Sequence, residues 1–208
     1  MAGIDAARVR ANLERVREGI GDHVEICAAI KYVELDDLPA LAEGGITLVG
    51  ENRAQDLAAK QDAHGDLFEW DFIGALQSRK VKDVAPRVRL IQSLASDSAL
   101  RKLEAHPARE VLVQVNVAGE EEKVGVAPEE LGDFIERCPV PVGGLMTMPP
   151  LTERAEDSRR WFAGLAELAA EHGLERLSMG TTQDYEVAVE EGATIVRLGT
   201  VLYEPSGG

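Results

Sequence analysis

The feature that most constrains this chain is its punctuation: short apolar runs alternate with longer stretches of mixed charge along most of its length. The runs that read as strands are Glu25–Lys31, Thr47–Glu51, Trp70–Gly74, Arg89–Leu94, Glu110–Val117, Gly143–Met148, Arg176–Gly180 and Ile195–Thr200. Helical segments are predicted between them near 36–44, 53–63, 77–85, 97–105, 128–137, 155–172 and 183–191. An amphipathic helix over 5–20 precedes the first run, with Ile4, Val9, Leu13, Val16 and Ile20 at near-helical spacing. Strict alternation of strand and helix implies parallel strands joined by right-handed crossovers. The expected fold class is α/β, a TIM-type (β/α)8 barrel with an additional N-terminal helix; a doubly wound sheet fits the same pattern. Glu43-Gly44-Gly45, His172-Gly173 and Glu191-Gly192 read as helix stops, Asp97 as an N-cap, and Ala127-Pro128 as a helix start. No low-complexity linker divides the chain, so residues 1–208 are expected to form one domain.

Composition narrows the partners. Hydrophobic residues are 45% of the chain but aromatics only 4%, so aliphatic packing must fill the core. The formal net charge of −15 argues against nucleic acid and anionic membrane surfaces. It leaves room for a small anion, which local N–H groups and one arginine can hold. The N-terminal segment has no apolar signal core, and no run approaches the roughly 20 apolar residues of a membrane span. A cytoplasmic location follows as the expectation. Cys27 and Cys138 belong to no metal or redox motif, and His23, His64, His106 and His172 are scattered, so no metal site is assigned. Glycine-rich nucleotide fingerprints and the serine-hydrolase elbow are absent from the sequence.

In an α/β barrel, chemistry sits at the C-terminal ends of the strands. Lys31 closes the first run and shares strand parity with Cys27 and Ala29. An amine kept from bulk water there is poised to attack an aldehyde, although a lysine at a strand end also simply reaches for solvent. Arg197-Leu198-Gly199-Thr200 ends the last run, where barrels often hold phosphate, and Ser178, Gly180 and Thr182 lie beside it. The competing reading of Arg197 is a buried arginine paired with a carboxylate. Asn52 is either a helix N-cap or a ligand contact, and Glu51 either a base or the partner of a lysine such as Lys80.

Taken together, AAIKYV, LVGENRAQD, WDFIGALQSRK, VLVQVNVAGEEEKVGV, GGLMTMPP and LSMGTTQDYEVAVEEGATIVRLGT resemble, in order, the pyridoxal phosphate homeostasis family (YggS-like, proline synthase co-transcribed proteins). The resemblance implies a barrel like the N-terminal domain of alanine racemase, with pyridoxal 5′-phosphate (PLP) held by Lys31 as a Schiff base. It implies that Arg197 faces the pyridine nitrogen, that Gly199 and Thr200 hold the phosphate with Ser178 and Thr182 as further donors, and that Asn52 lies close to the cofactor. The implied function is a carrier or buffer in intracellular PLP homeostasis, monomeric, with PLP-dependent apo-enzymes as the recipients. A weak PLP-dependent racemase or lyase, a Schiff-base aldolase and an interaction protein without cofactor are the alternatives. With only 208 residues, no second domain is expected to supply the catalytic tyrosine that alanine racemase uses. The chain departs from the family at Ile30-Lys31-Tyr32, where Ser/Thr-Lys-Thr is usual, at Thr182 in place of serine, at Arg79 in place of asparagine, and in its short tail from Glu204.

Overall fold

The alternation closes on itself. In the computed structural model, which describes residues 3–120 and 124–204, eight parallel strands form a closed barrel in chain order, the first paired with the last. They are β1 Glu25–Ala29, β2 Leu48–Glu51, β3 Glu69–Phe72, β4 Leu90–Leu94, β5 Val111–Gln114, β6 Val142–Met146, β7 Arg176–Ser178 and β8 Ile195–Leu198. Helix α1, Ala6–Ile20, precedes β1; α2 Leu38–Glu43, α3 Ala54–His64, α4 Val81–Val84, α5 Asp97–Leu103, α6 Leu131–Glu136, α7 Arg159–Glu171, α8 Tyr185–Glu190 and α9 Thr200–Tyr203 follow the strands one by one. This is the TIM-type architecture, and the doubly wound alternative is set aside. Residues 121–123 of the VLVQVNVAGEEEKVGV stretch, and the tail beyond Glu204, lie outside the described residues. Among the described residues no helix is long and apolar enough to cross a membrane.

Strand parity sorts the core into two parts. Cys27, Leu48, Leu90, Leu112, Met146 and Ile195 point inward and fill the barrel. Their neighbours, such as Ile26, Ala28, Val49, Ile91, Val113 and Val196, point outward and pack under the helices. Leu38, Leu41, Leu57, Leu131, Phe162 and Leu165 meet them from the helix side. Each such side chain contributes about 1.5–3 kcal/mol on burial.

Several element ends differ from the sequence reading. β1 stops at Ala29 rather than Lys31: Ile30 N–H still donates to Gly50 C=O at 3.1 Å, then Val33 N–H turns back to Ile30 C=O at 3.0 Å. β8 ends at Leu198, and Thr200 opens α9. The segment 77–85 is a 3-10 turn followed by the short α4, stopped before Pro86, which has no N–H to give. Ser96, not Asp97, caps α5, its hydroxyl accepting from Ala99 N–H at 3.3 Å. Asp97 instead pairs with Arg137 at 2.8 Å.

Candidate functional site

A cavity of about 530 Å³ opens at the C-terminal mouth of the barrel. Lys31, Asn52, Thr182, Arg197, Gly199 and Thr200 all line it. They converge because β7, β8, β1 and β2 are consecutive around the barrel. The register pairs Cys27 with Arg197 and Ala28 with Leu198, so Lys31 and the Gly199-Thr200 pair leave neighbouring strands side by side. The Tyr203 hydroxyl, donating to Ala29 C=O at 3.4 Å, ties α9 to β1 at this point.

Ser178 does not reach the wall. It is fully buried behind Arg197, donating to Gln92 Oε1 at 2.6 Å and accepting from Arg197 Nη1. As a hydroxyl facing the cavity it is therefore out of place; its contact is with the arginine. Thr182 is on the wall and accepts a long 3.4 Å bond from Gly199 N–H.

Arg197 is the unusual residue. Only 5% of it is exposed, and among the described residues no carboxylate lies within ion-pair distance of it. The carboxylate-paired reading of this arginine finds no partner among the described residues. Its Nη2 donates to Thr147 C=O at 2.8 Å and to Met148 Sδ at 3.0 Å, and Nη1 donates to Ser178. A guanidinium has five N–H groups, so these three bonds leave two unassigned on a side chain that lines the cavity. Burial lowers its pKa to about 10, which still leaves a cation at neutral pH. A desolvated cation that lines a cavity, with no counter-ion among the described residues, suits an acceptor or anion bound in that cavity.

Lys31 is half-buried at the mouth, its Nζ 4.7 Å from the ring centroid of Tyr32. Hydrogen bonding to Lys31 and its positive charge draw the exposed Tyr32 phenol below its ordinary range. Tyr203, on the same wall, is held above its ordinary range by burial.

The loops that carry Lys31 and Asn52 are fastened to each other by a group the sequence reading missed. Lys60, from α3, donates to Ile30 C=O at 2.6 Å and to Glu51 Oε2 at 2.7 Å. The other oxygen of Glu51 accepts from Asn52 N–H at 2.6 Å and Arg53 N–H at 3.3 Å. Glu51 thus pairs with Lys60 and not with Lys80, which reaches Asp83 at 3.8 Å. Asn52 is not the helix N-cap that the sequence suggested: that position is Arg53, which makes no side-chain cap bond.

Gly74, at the end of the next strand, lies against the same loop: a Cβ there would sit 2.0 Å from Asn52 C=O. Backbone cannot yield as a side-chain tip does. Gly74→Ala is expected to cost about 1–3 kcal/mol in urea unfolding, and an unchanged midpoint would show that the Asn52 loop has room to move.

The family model for the N-terminal domain of alanine racemase matches residues 4–206. The pyridoxal phosphate homeostasis protein of Aquifex aeolicus is 41% identical over 218 residues, covering 94% of this chain and 96% of that protein. The protein of the same name from Pseudomonas aeruginosa is 33% identical over 213 residues, covering 95% and 92%. Among solved structures, PipY of Synechococcus elongatus PCC7942 with PLP bound superposes with a TM-score of 0.82 at 29% identity, covering 94% of this chain and 99% of that one. Alanine racemase from Corynebacterium glutamicum gives 0.76 at 16% identity, covering 99% of this chain and 63% of that enzyme, a likeness of fold alone.

Proposed function

Since the chain belongs to the alanine racemase N-terminal domain family, and within it to the pyridoxal phosphate homeostasis proteins, we propose that it is a PLP-binding protein that holds the cofactor on Lys31 as an intracellular carrier or buffer. The observation that supports this most is Arg197: a buried cation with no carboxylate partner among the described residues, sharing one cavity with a lysine amine. The donor set fits the cofactor. Lys31 offers a primary amine, Arg197 two uncommitted N–H groups, and Thr182, Gly199 and Thr200 hydroxyl and backbone donors suited to a phosphate. Residues 1–208 act on this reading as one PLP-binding domain, with PLP-dependent apo-enzymes as recipients and a cytoplasmic monomer as the working form.

When bound, PLP supplies an aldehyde for an amine and a pyridine ring able to draw in electrons. The residues of this chain limit the second property. Arg197 would hold the ring-nitrogen end of the cofactor, and its cation would disfavour a proton there by charge repulsion. An unprotonated ring is a poor electron sink, so the site favours holding over turnover. Asn52 is held on the loop beside Lys31, where its amide can orient the ligand. The mouth is walled by Tyr32, Met148 and Leu151, which shields the amine without sealing it.

The test is direct. Titrated with PLP, the wild-type chain is expected to develop a near-ultraviolet or visible band distinct from free PLP. In Arg197→Ala the dissociation constant is expected to rise about 10- to 100-fold, as for loss of a charged hydrogen bond, and the band to move. Identical spectra and affinities in the two proteins would remove Arg197 from the site. A slow racemase or lyase is the second reading, favoured by the Tyr32 phenol beside Lys31. Rapid exchange of an amino acid's α-proton with solvent deuterium would replace the carrier reading with that one.

A further inference from the structure

The inside of this barrel is mostly aliphatic, yet one set of polar groups crosses it without touching solvent. Asp71, Gln92 and Ser178 are 0–1% exposed and come from β3, β4 and β7; they lead to Arg197 on β8. Each link in the set has only one possible direction. Asp71 Oδ1 accepts from Arg89 Nε at 3.1 Å, and Oδ2 accepts from Arg89 Nη2 at 2.9 Å and from Gln92 Nε2 at 2.8 Å. A carboxylate whose two oxygens both take donors can face only the NH₂ end of the Gln92 amide. The carbonyl end of Gln92 must then point away, and it accepts the Ser178 hydroxyl at 2.6 Å. Serine has one hydroxyl proton, so its oxygen has only lone pairs left to offer, and Arg197 Nη1 donates to them.

We infer that Gln92 and Ser178 are positioning residues for Arg197: a one-way hydrogen-bond series starting at the Arg89–Asp71 pair fixes where the guanidinium points in the mouth cavity. A buried polar series gives little stability that a well-packed aliphatic filling would not give. What it provides is orientation, and among the described residues Arg197 has no carboxylate to orient it directly. The Thr147 and Met148 contacts hold Nη2, while Ser178 holds Nη1. Together they set the plane of the guanidinium, and with it the direction of the two N–H groups left for a ligand.

The spectroscopic half of the test rests on the PLP reading; the other half does not. In PLP-free protein, the Arg197 Nε–H signal in a ¹⁵N–¹H spectrum is identified by its loss in Arg197→Ala. Because the Nη1 and Nη2 contacts hold the guanidinium plane, that signal is expected to be a single narrow line in the wild type. In Gln92→Leu and Ser178→Ala the plane is released, and the line is expected to broaden several-fold. With PLP added, the absorption bands of both variants are expected to move toward that of Arg197→Ala, with about 10-fold weaker binding. A purely structural role for Gln92 and Ser178 would lower the melting temperature while leaving the Arg197 signal and the PLP band in place, and that result overturns the inference. A wild type that develops no PLP band defeats the functional reading, and the PLP-free spectra still decide the positioning role.

Discussion

Lys31→Ala is expected to abolish covalent capture of PLP. Among the described residues Lys31 is the lysine on the wall of the mouth cavity. Lys60, the next nearest in the sequence, is engaged with Glu51 and the Ile30 carbonyl and stands behind the loop. Borohydride reduction of the loaded wild type, followed by peptide mapping, should place the pyridoxyl group on the peptide containing Lys31 and on no other. The same procedure on the variant should give only background labelling. Non-covalent binding is expected to persist at reduced affinity, because Arg197, Thr182, Gly199 and Thr200 are untouched. Labelling of the variant at wild-type yield would move the site elsewhere. The departure at Ile30 and Tyr32 makes this experiment informative, since neither neighbour of the lysine provides the small hydroxyl usual in the family.

The second large effect is expected from a residue that does not line the cavity. Lys60→Met should lower the unfolding free energy by about 3–5 kcal/mol, because it leaves the Glu51 carboxylate buried without its counter-charge. Glu51 is fully buried and Lys60 is 6% exposed, so water offers little compensation. The damage also reaches the site: the Ile30 carbonyl loses its donor one residue before Lys31, and PLP binding should weaken in step. Glu51→Gln combined with Lys60→Met should recover part of the loss. A glutamine oxygen still accepts from Asn52 and Arg53, and no uncompensated charge is left behind. Chemical denaturation of the three proteins measures both effects. A single variant within about 1 kcal/mol of wild type would mean that the pair is effectively solvated.

These expectations draw unequally on what could be read in advance. The order of elements was legible because parallel strands covered by helices leave apolar runs at regular intervals, but closure was not, since a doubly wound sheet leaves the same pattern and only the β1–β8 pairing decides between them. The strand ends were also less legible. Ile30 is fully buried although β1 has already ended, because a chain leaving a barrel at its mouth still packs under the helices. Hydrophobicity therefore continues after the hydrogen-bond ladder stops. Within the site, Lys31, Asn52, Thr182, Arg197, Gly199 and Thr200 share one cavity, as strand-end residues of adjacent strands must. Ser178 fell short by its depth along β7, a distance that parity does not encode. Asp71 and Gln92 did leave a trace, each a polar residue inside an otherwise apolar strand run. Their partnership spans neighbouring strands and depends on barrel stagger, which is set in three dimensions. Lys60 left none: on a helix, one lysine among exposed residues looks like the rest.

The pairing of β1 with β8 has a consequence for how the protein comes to be made. On the proposed reading the ligand would straddle the seam at which the ring shuts, with its amine just past the first strand and its anion donors just past the last. A chain whose β1 and β8 are not yet paired therefore has half a pocket, and it gains binding competence and circular continuity in the same event. Any molecule lodged across that junction acts as a clasp, favouring the shut ring by mass action. If PLP is that molecule, its supply would favour the shut, protease-resistant form of the polypeptide.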